Sequence, residues 1–148
     1  MDEERYTMSS LLNKLIDIEV RAGNFYANSR IGTGGELSNY FQIFSKEHQD
    51  TATKIETTKR ETIVEFTLEP ISGMEIEKFL KRIDDTTLNR QITAIDKATI
   101  IEEQISQLYT DVAGKISHIS GEANQILLNS NKKAKKRLDI LKSLAKGQ

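Results

Sequence analysis

Hydrophobic residues recur at helical spacing in four long segments of the chain. The first segment runs from about Met8 to Arg30, and the second from Glu36 to about Ile63. The third spans about Thr87 to Ile116, and the fourth about Glu122 to Ala145. Apolar side chains placed every three or four residues form a single face on a helix. The pattern therefore predicts four long amphipathic helices.

The connections between these segments differ in length. Gly32-Thr33-Gly34-Gly35 and Ser117–Gly121 are short, and their glycines are typical of the turns that end helices. The middle connection is about twenty residues long. A connection of that length can travel the length of a bundle. We therefore expect a single domain, residues 1–148, made of two helix hairpins joined by a long crossover.

The middle connection has structure of its own. Val64–Pro70 alternates apolar and polar residues, which predicts an extended crossover, since one such stretch alone cannot form a sheet. A short helix is then predicted from Met74 to about Ile83. Ser72 and Glu75 have the spacing of a capping box at its start.

Composition supports a helical, intracellular protein. The chain has 148 residues with one proline, and 29% of them are charged. It has no cysteine, which excludes disulfides, thiolate metal sites and cysteine nucleophiles. No apolar run approaches the length of a signal peptide or a transmembrane helix. We therefore expect a cytoplasmic location.

Positive charge is concentrated at the C-terminal end. Residues 131–148 carry seven Lys and Arg residues against Asp139 alone, although the whole chain has a net charge of −1. The basic run Asn131–Arg137 has no aromatic residues for base stacking, and its helix has an apolar opposite face. A solvated helix face is the favoured interpretation, with no clear nucleic-acid or membrane signal. Docking with the acidic part of a neighbouring subunit is the alternative, and we expect a homodimer or higher oligomer.

A carboxylate within the apolar face of the first helix returns on the third. Glu19 is followed seven residues later by Tyr26, and Glu102 is followed in the same way by Tyr109. The two pairs are offset by 83 positions. A buried ion without a partner costs several kcal/mol. The repeat therefore predicts that something neutralises both glutamates, and it indicates two hairpins of similar plan.

Taken together, these features resemble the ferritin-like superfamily, and the rubrerythrin-like branch most closely. The resemblance covers nearly the whole chain and implies an all-α, ferritin-like four-helix bundle. In such bundles, helices one and three each give a glutamate, and helices two and four each give a Glu-x-x-His. These ligands hold two iron or manganese ions. The resemblance therefore implies a di-metal oxidoreductase of the ferroxidase or peroxidase type, acting on dioxygen or peroxide.

On the first three helices the resemblance assigns five candidate metal ligands. Glu19 matches the ligand of the first helix, and Glu102 that of the third. On the second helix Glu47 matches the glutamate, while Asp50 stands where the family has histidine. His48 is a further candidate, expected with Glu47 at the two borders of the apolar face. An aspartate can still bind a hard cation.

The fourth helix departs from the family pattern. The ligand window holds Ser130, Asn131, Lys132 and Lys133, with no Glu-x-x-His, while Arg137 falls on the apolar face. The di-metal site would therefore be incomplete. The alternative is a metal-free structural or protein-interaction module in which Lys133 and Arg137 replace the metals by salt bridges.

The remaining candidates have lesser roles. Tyr26 and Tyr109 match tyrosines that often follow the ligands in the family, which implies positions beside the site. His118 falls in the predicted turn before the fourth helix and is expected at the surface. No nucleophilic triad can be assembled from the residues present, so no catalytic residue is assigned.

Overall fold

The computed structural model of the chain describes residues 5–62, 71–117 and 119–147. Within these ranges the fold is all-α apart from one pair of two-residue strands, which confirms the predicted class. The five α-helices are α1 (Met8–Ser29), α2 (Gly35–Thr62), α3 (Ile76–Leu88), α4 (Ala94–Ile116) and α5 (Gly121–Lys146). The predicted crossover Val64–Pro70 and the residue His118 lie outside the described residues.

The four long helices pack in two pairs around one core. Helix α1 lies along α2, and α4 lies along α5, while contacts of α1 with α4 and of α2 with α5 join the pairs. Helix α3 packs on α4 and α1. The core is aliphatic and aromatic, and includes Leu11, Leu15, Ile18, Phe41, Phe44, Ile101, Ile105, Leu127 and Leu141. No helix of the described ranges combines the length and apolar character needed to cross a membrane.

The segment before α3 differs from the sequence prediction. Strand β1 (Arg5–Tyr6) pairs antiparallel with strand β2 (Ile71–Ser72), so Ser72 lies in a strand instead of capping a helix. The pairing sets Tyr6 opposite Ile71, and both side chains are buried. Their burial gives this short ladder an apolar anchor on the bundle.

Helix α3 also starts and ends later than the sequence predicts. It begins at Ile76 instead of Met74, and Glu75 at its N-cap makes no side-chain capping hydrogen bond. It continues to Leu88, past the expected end near Ile83. The whole segment from Ile76 to Leu88 is thus separate from the next long helix.

The third long helix begins at Ala94, seven residues after the predicted start at Thr87. The Asn89 side-chain oxygen accepts a hydrogen bond from the Gln91 amide at 2.8 Å. The Thr93 hydroxyl accepts one from the Asp96 amide at 3.2 Å and caps α4. Such local side-chain bonds to the backbone compete with helix formation. They explain why the chain turns between Leu88 and Ala94.

Candidate functional site

Polar side chains from all four long helices meet inside the bundle. Each is at most 3% exposed, and we call them the ion cluster: Glu19 and Tyr26 of α1, His48 of α2, Glu102 and Tyr109 of α4, and Arg137 of α5. Seven residues make two helical turns, so the glutamate and tyrosine of each repeat project from the same face. A buried group of this size must satisfy its own charges and hydrogen bonds.

The two Glu-x6-Tyr repeats are joined crosswise. The Tyr26 hydroxyl of α1 donates to Glu102 Oε2 of α4 at 2.6 Å. The Tyr109 hydroxyl of α4 donates to Glu19 Oε2 of α1 at 2.8 Å. Each tyrosine therefore serves the glutamate of the other repeat. This exchange requires α1 and α4 to run in opposite directions across the centre of the bundle.

His48 lies between the two glutamates. Its Nδ1 is 3.1 Å from Glu19 Oε1, and its Nε2 is 2.8 Å from Glu102 Oε2. Because both ring nitrogens face carboxylate oxygens, both must carry a proton to donate. The geometry therefore indicates an imidazolium that bridges α1 and α4. Its ring also stacks on Tyr26, with the centroids 5.7 Å apart.

The backbones of α1 and α2 approach closely at the level of this histidine. The Ser45 hydroxyl of α2 donates to the Gly23 carbonyl of α1 at 2.9 Å. A Cβ atom built on Gly23 would lie 3.4 Å from the Ser45 carbonyl oxygen and 3.5 Å from His48 Cβ. The small residue and the polar contact together set His48 at the depth of the glutamates.

Arg137 supplies the second cation. Its Nη1 donates to Glu47 Oε1 at 2.9 Å, and its Nε lies 2.9 Å from Glu102 Oε1. The second contact lacks the geometry of a hydrogen bond, because Arg137 Nε and Glu102 Oε1 have no hydrogen-bond partner among the described residues. We therefore treat it as an ion pair. The two fully buried carboxylates are thus matched by two cations, His48 and Arg137.

The pKa values of His48, Glu102 and Arg137 follow from these contacts. Burial alone would lower the pKa of His48, but the charges of Glu102 and Glu19 outweigh it and raise the pKa to about 9. Burial alone would raise the pKa of Glu102, but His48 and Arg137 lower it to about 2. Burial opposes the charge on Arg137 too, yet Glu102 and Glu19 raise its pKa above the ordinary value.

The tyrosines act as neutral donors. Burial and the neighbouring Glu102 carboxylate raise the pKa of Tyr26 well above its ordinary value. Burial and Glu19 do the same for the pKa of Tyr109. Both hydroxyls therefore keep their protons and donate to the carboxylates.

The residues predicted from sequence fall into two groups. The structure brings Glu19, His48, Glu102, Tyr26, Tyr109 and Arg137 together, with Glu47 at the rim, where its side chain is 36% exposed. Asp50 lies outside, 56% exposed and 3.8 Å from Lys46. Lys133 also lies outside the cluster and lines a surface recess between α2 and α5. His48, expected at a border of the helix face, is fully buried at its centre.

Asn131 is a buried polar residue whose role was not predicted from the sequence. Its Oδ1 accepts a hydrogen bond from Ser106 at 2.6 Å, and its Nδ2 donates to Thr110 Oγ1 at 2.9 Å. These bonds fix α5 against α4 in the register that brings Arg137 to the cluster. Asn131 lies in a basic run, and nothing in that run marks it as buried.

A di-metal centre does not fit the residues of the cluster. All four oxygens of Glu19 and Glu102 already have a hydroxyl, imidazole or guanidinium neighbour within 3.1 Å. Arg137 also brings positive charge where α5 would have to supply ligands. Among the described residues, no group of three or more His, Asp or Glu side chains is arranged to hold a metal ion.

Fold and site together define an all-α helical bundle with a buried, charge-balanced cluster at its centre. In comparisons of the chain with family models, curated proteins and solved structures, nothing matches it.

The two tyrosines are expected to contribute unequally to stability. Among the described residues, Tyr109 is the only donor to Glu19 Oε2, whereas Glu102 Oε2 also contacts His48. Tyr109→Phe should therefore lower the free energy of unfolding by about 1–3 kcal/mol, and Tyr26→Phe by less. Urea denaturation measures both, with Tyr40→Phe on α2 as the control. Equal losses in Tyr109→Phe and Tyr40→Phe would contradict the assignment.

Proposed function

We propose that this chain is a metal-free structural and interaction module built on a ferritin-like four-helix bundle. In this proposal, His48 and Arg137 occupy the place that two metal ions have in that family. The observation that carries the proposal is the position of the His48 ring, with one nitrogen on Glu19 and the other on Glu102. The imidazolium then does what a bridging metal would do, since it neutralises both carboxylates and ties α1 to α4.

Several features support the ferritin-like part of the proposal. The long helices form two pairs, and a long connection that contains α3 lies between the pairs. The glutamates at equivalent positions of α1 and α4 face the same centre. These features are expected of a ferritin-like bundle in which the first and third long helices keep glutamates at the ligand positions.

Arg137 supports the metal-free part of the proposal. It is the contribution of α5 to the centre, and it contacts carboxylates of two other helices, Glu47 and Glu102. A buried carboxylate that already has a cation gains little from a metal, and the metal would have to displace that cation. We propose the salt-bridge replacement through Arg137 and His48, without Lys133.

The runner-up function is a di-metal oxidoreductase that binds iron or manganese. It is favoured by the arrival of three carboxylates, Glu19, Glu47 and Glu102, from three helices in one region. Loading such a centre would require the imidazole and guanidinium to leave the carboxylates. The deep burial of both cations makes that displacement costly. The expected self-association stays a prediction.

The metal content of the purified protein tests the proposal. Protein purified from iron- and manganese-replete cells is expected to contain less than about 0.1 metal ion per chain in elemental analysis, because the carboxylates are already neutralised. Added Fe²⁺ or Mn²⁺ should leave the melting temperature unchanged. A ligand at a hundred times its Kd would stabilise the fold by about 2.7 kcal/mol and raise the melting temperature by several degrees.

Asp50→Asn is the matched control, because it removes the exposed candidate ligand and leaves the ion cluster intact. Equal trace metal in this variant and the wild type would assign the trace to background. One or two metal ions per chain in the wild type, together with a metal-dependent rise in melting temperature, would overturn the metal-free proposal.

A further inference from the structure

A recess on the surface between α2 and α5 is lined by lysines. Its volume is about 280 Å³, and the basic side chains around it are Lys54 of α2 and Lys132, Lys133 and Lys136 of α5. We call this recess the lysine groove. On α5 the spacings of three and four residues project all three lysines from one side of the helix.

Acidic side chains of the described residues do not compensate the charge of the lysine groove. None of its four lysines forms an ion pair with a described residue, and no carboxylate of the described chain lines the groove. The chain has 22 acidic side chains for 21 basic ones, so acidic residues are not scarce. Lysines elsewhere do pair along their helices, as Lys46 does with Asp50 and Lys81 with Asp85. Like charges at this spacing repel one another.

We propose that the lysine groove binds a small, multiply charged anion that contains several phosphate groups. Lysine ammonium groups bind phosphate oxygens as point charges, and four lysines from two helices line this recess. The recess is slightly smaller than the roughly 300–1,000 Å³ of pockets for drug-sized ligands. A short polyphosphate chain, free or as part of a nucleotide, has the charge density and the size for such a site.

Two observations favour a small anion over a nucleic acid. No aromatic side chain of the described ranges lines the groove, so bases would find no stacking surface among these residues. The lysines also surround one recess, whereas a nucleic-acid backbone is followed by charges spread along a track.

The hydroxyl groups in the groove contribute little to the affinity. The Thr51 hydroxyl donates to the Glu47 carbonyl at 3.0 Å, and the Ser130 hydroxyl donates to the Ile126 carbonyl at 2.8 Å. Their protons are therefore already used within their own helices. Binding rests on the lysines, which makes it sensitive to charge substitutions and to salt.

The groove lies one helical turn from the ion cluster along the same seam. Thr51 follows Glu47 by one turn on α2, and Lys133 precedes Arg137 by one turn on α5. The contact between Glu47 and Arg137 holds the two walls together at that point. The proposed site uses no residue of the ion cluster, so it holds or fails independently of the metal-free function.

Titration calorimetry with sodium tripolyphosphate tests the proposal on the full chain. We expect one anion per chain and an affinity that falls as salt rises. The double variant Lys133→Gln/Lys136→Gln should weaken binding at least about tenfold, since two of the four charges are lost. The control Lys135→Gln/Lys142→Gln removes two exposed charges of α5 outside the groove and should change the affinity less than about twofold.

Further ligands identify what the groove recognises. ATP and tripolyphosphate of equal affinity would show that the phosphate chain is sufficient, while tighter ATP would assign the site to a nucleotide. Equal weakening in both double variants, or no heat of binding for tripolyphosphate, would overturn the proposal. If a single-stranded oligonucleotide binds more tightly than tripolyphosphate, with several protein chains on each strand, the groove would instead be part of a nucleic-acid-binding surface. Circular dichroism confirms that both variants fold.

Discussion

Arg137→Leu is expected to lower the free energy of unfolding by about 3–5 kcal/mol, because it breaks a buried ion pair by removing one partner. The side chain of Arg137 is 3% exposed, and its Nε lies 2.9 Å from Glu102 Oε1. Leucine would leave that carboxylate oxygen in the core without its cation. The rim residue Glu47 would lose its hydrogen bond from the guanidinium as well. Urea denaturation near pH 7 measures the loss.

Two further variants make this result specific. Lys142→Leu places the same side chain on an exposed position of α5 and should change stability by about 0.5 kcal/mol or less. Arg137→Lys keeps the charge but loses the fork that contacts two glutamates, so an intermediate loss is expected. It also keeps the test usable if Arg137→Leu does not fold. A loss of only about 0.5 kcal/mol in Arg137→Leu would show that the cluster does not depend on this cation.

The cluster explains how a bundle can hold two buried glutamates. Every long helix contributes at least one of its members, so the set forms only when all four are packed in one register. Buried ion groups of this kind often add less stability than a well-packed apolar core would. Such groups restrict how the helices can pack, because a shift of any one helix leaves a buried charge without its partner. We infer that the cluster selects the arrangement of the hairpins.

The long helices could be predicted from the sequence because their apolar faces are continuous. The predicted ends of α1 and α5 lie within one residue of those in the structure. The break before α4 could not be predicted in this way. The apolar spacing gives no sign of a break there, while the local hydrogen bonds of Asn89 and Thr93 end one helix and start another. The pairing of Tyr6 with Ile71 joins segments far apart in sequence, which no local pattern reveals.

The site could be predicted only in part. The two Glu-x6-Tyr repeats and Arg137 are visible because polar residues stand out on apolar faces. The central position of His48 is harder to predict, because the sequence pattern of α2 leaves this residue at the border of the predicted apolar face. A better signal is the series Phe41, Phe44, His48, Thr51 and Ile55, whose alternating spacings of three and four put the histidine on the inner stripe. The same spacing places Asp50 outside.

The second large effect is expected at His48, as a change in the pH dependence of stability. Its pKa is about 9 in the fold against an ordinary value of 6.5. The stabilisation from the imidazolium is therefore complete below about pH 6.5 and is lost as the pH rises through 9. A shift of this size corresponds to a loss on the order of 3 kcal/mol. Glu102 acts at the other end, since its pKa of about 2 against 4.5 means that its stabilisation is lost as the pH falls from 4.5 toward 2.

His48→Gln should remove the alkaline loss that His48 causes, so the stability of the variant should change less with pH than that of the wild type. Without the imidazolium, Glu19 and Glu102 share the core with Arg137 as the remaining buried cation, so one carboxyl group is expected to take up a proton as the pH falls. The variant should be about 3–5 kcal/mol less stable than the wild type near pH 6, and the difference should shrink toward pH 9. Urea denaturation of both proteins between about pH 5 and 9 measures that difference, in which the titrations common to both cancel.

His118→Gln, which removes the only other histidine of the chain, is the matched control and should retain the wild-type profile. A stability difference between wild type and His48→Gln that stays constant from pH 6 to 9 would show that folding does not raise the pKa of His48. The bridge between the glutamates would then not be an imidazolium near neutral pH, and the proposed replacement of metals by cations would lose its central member.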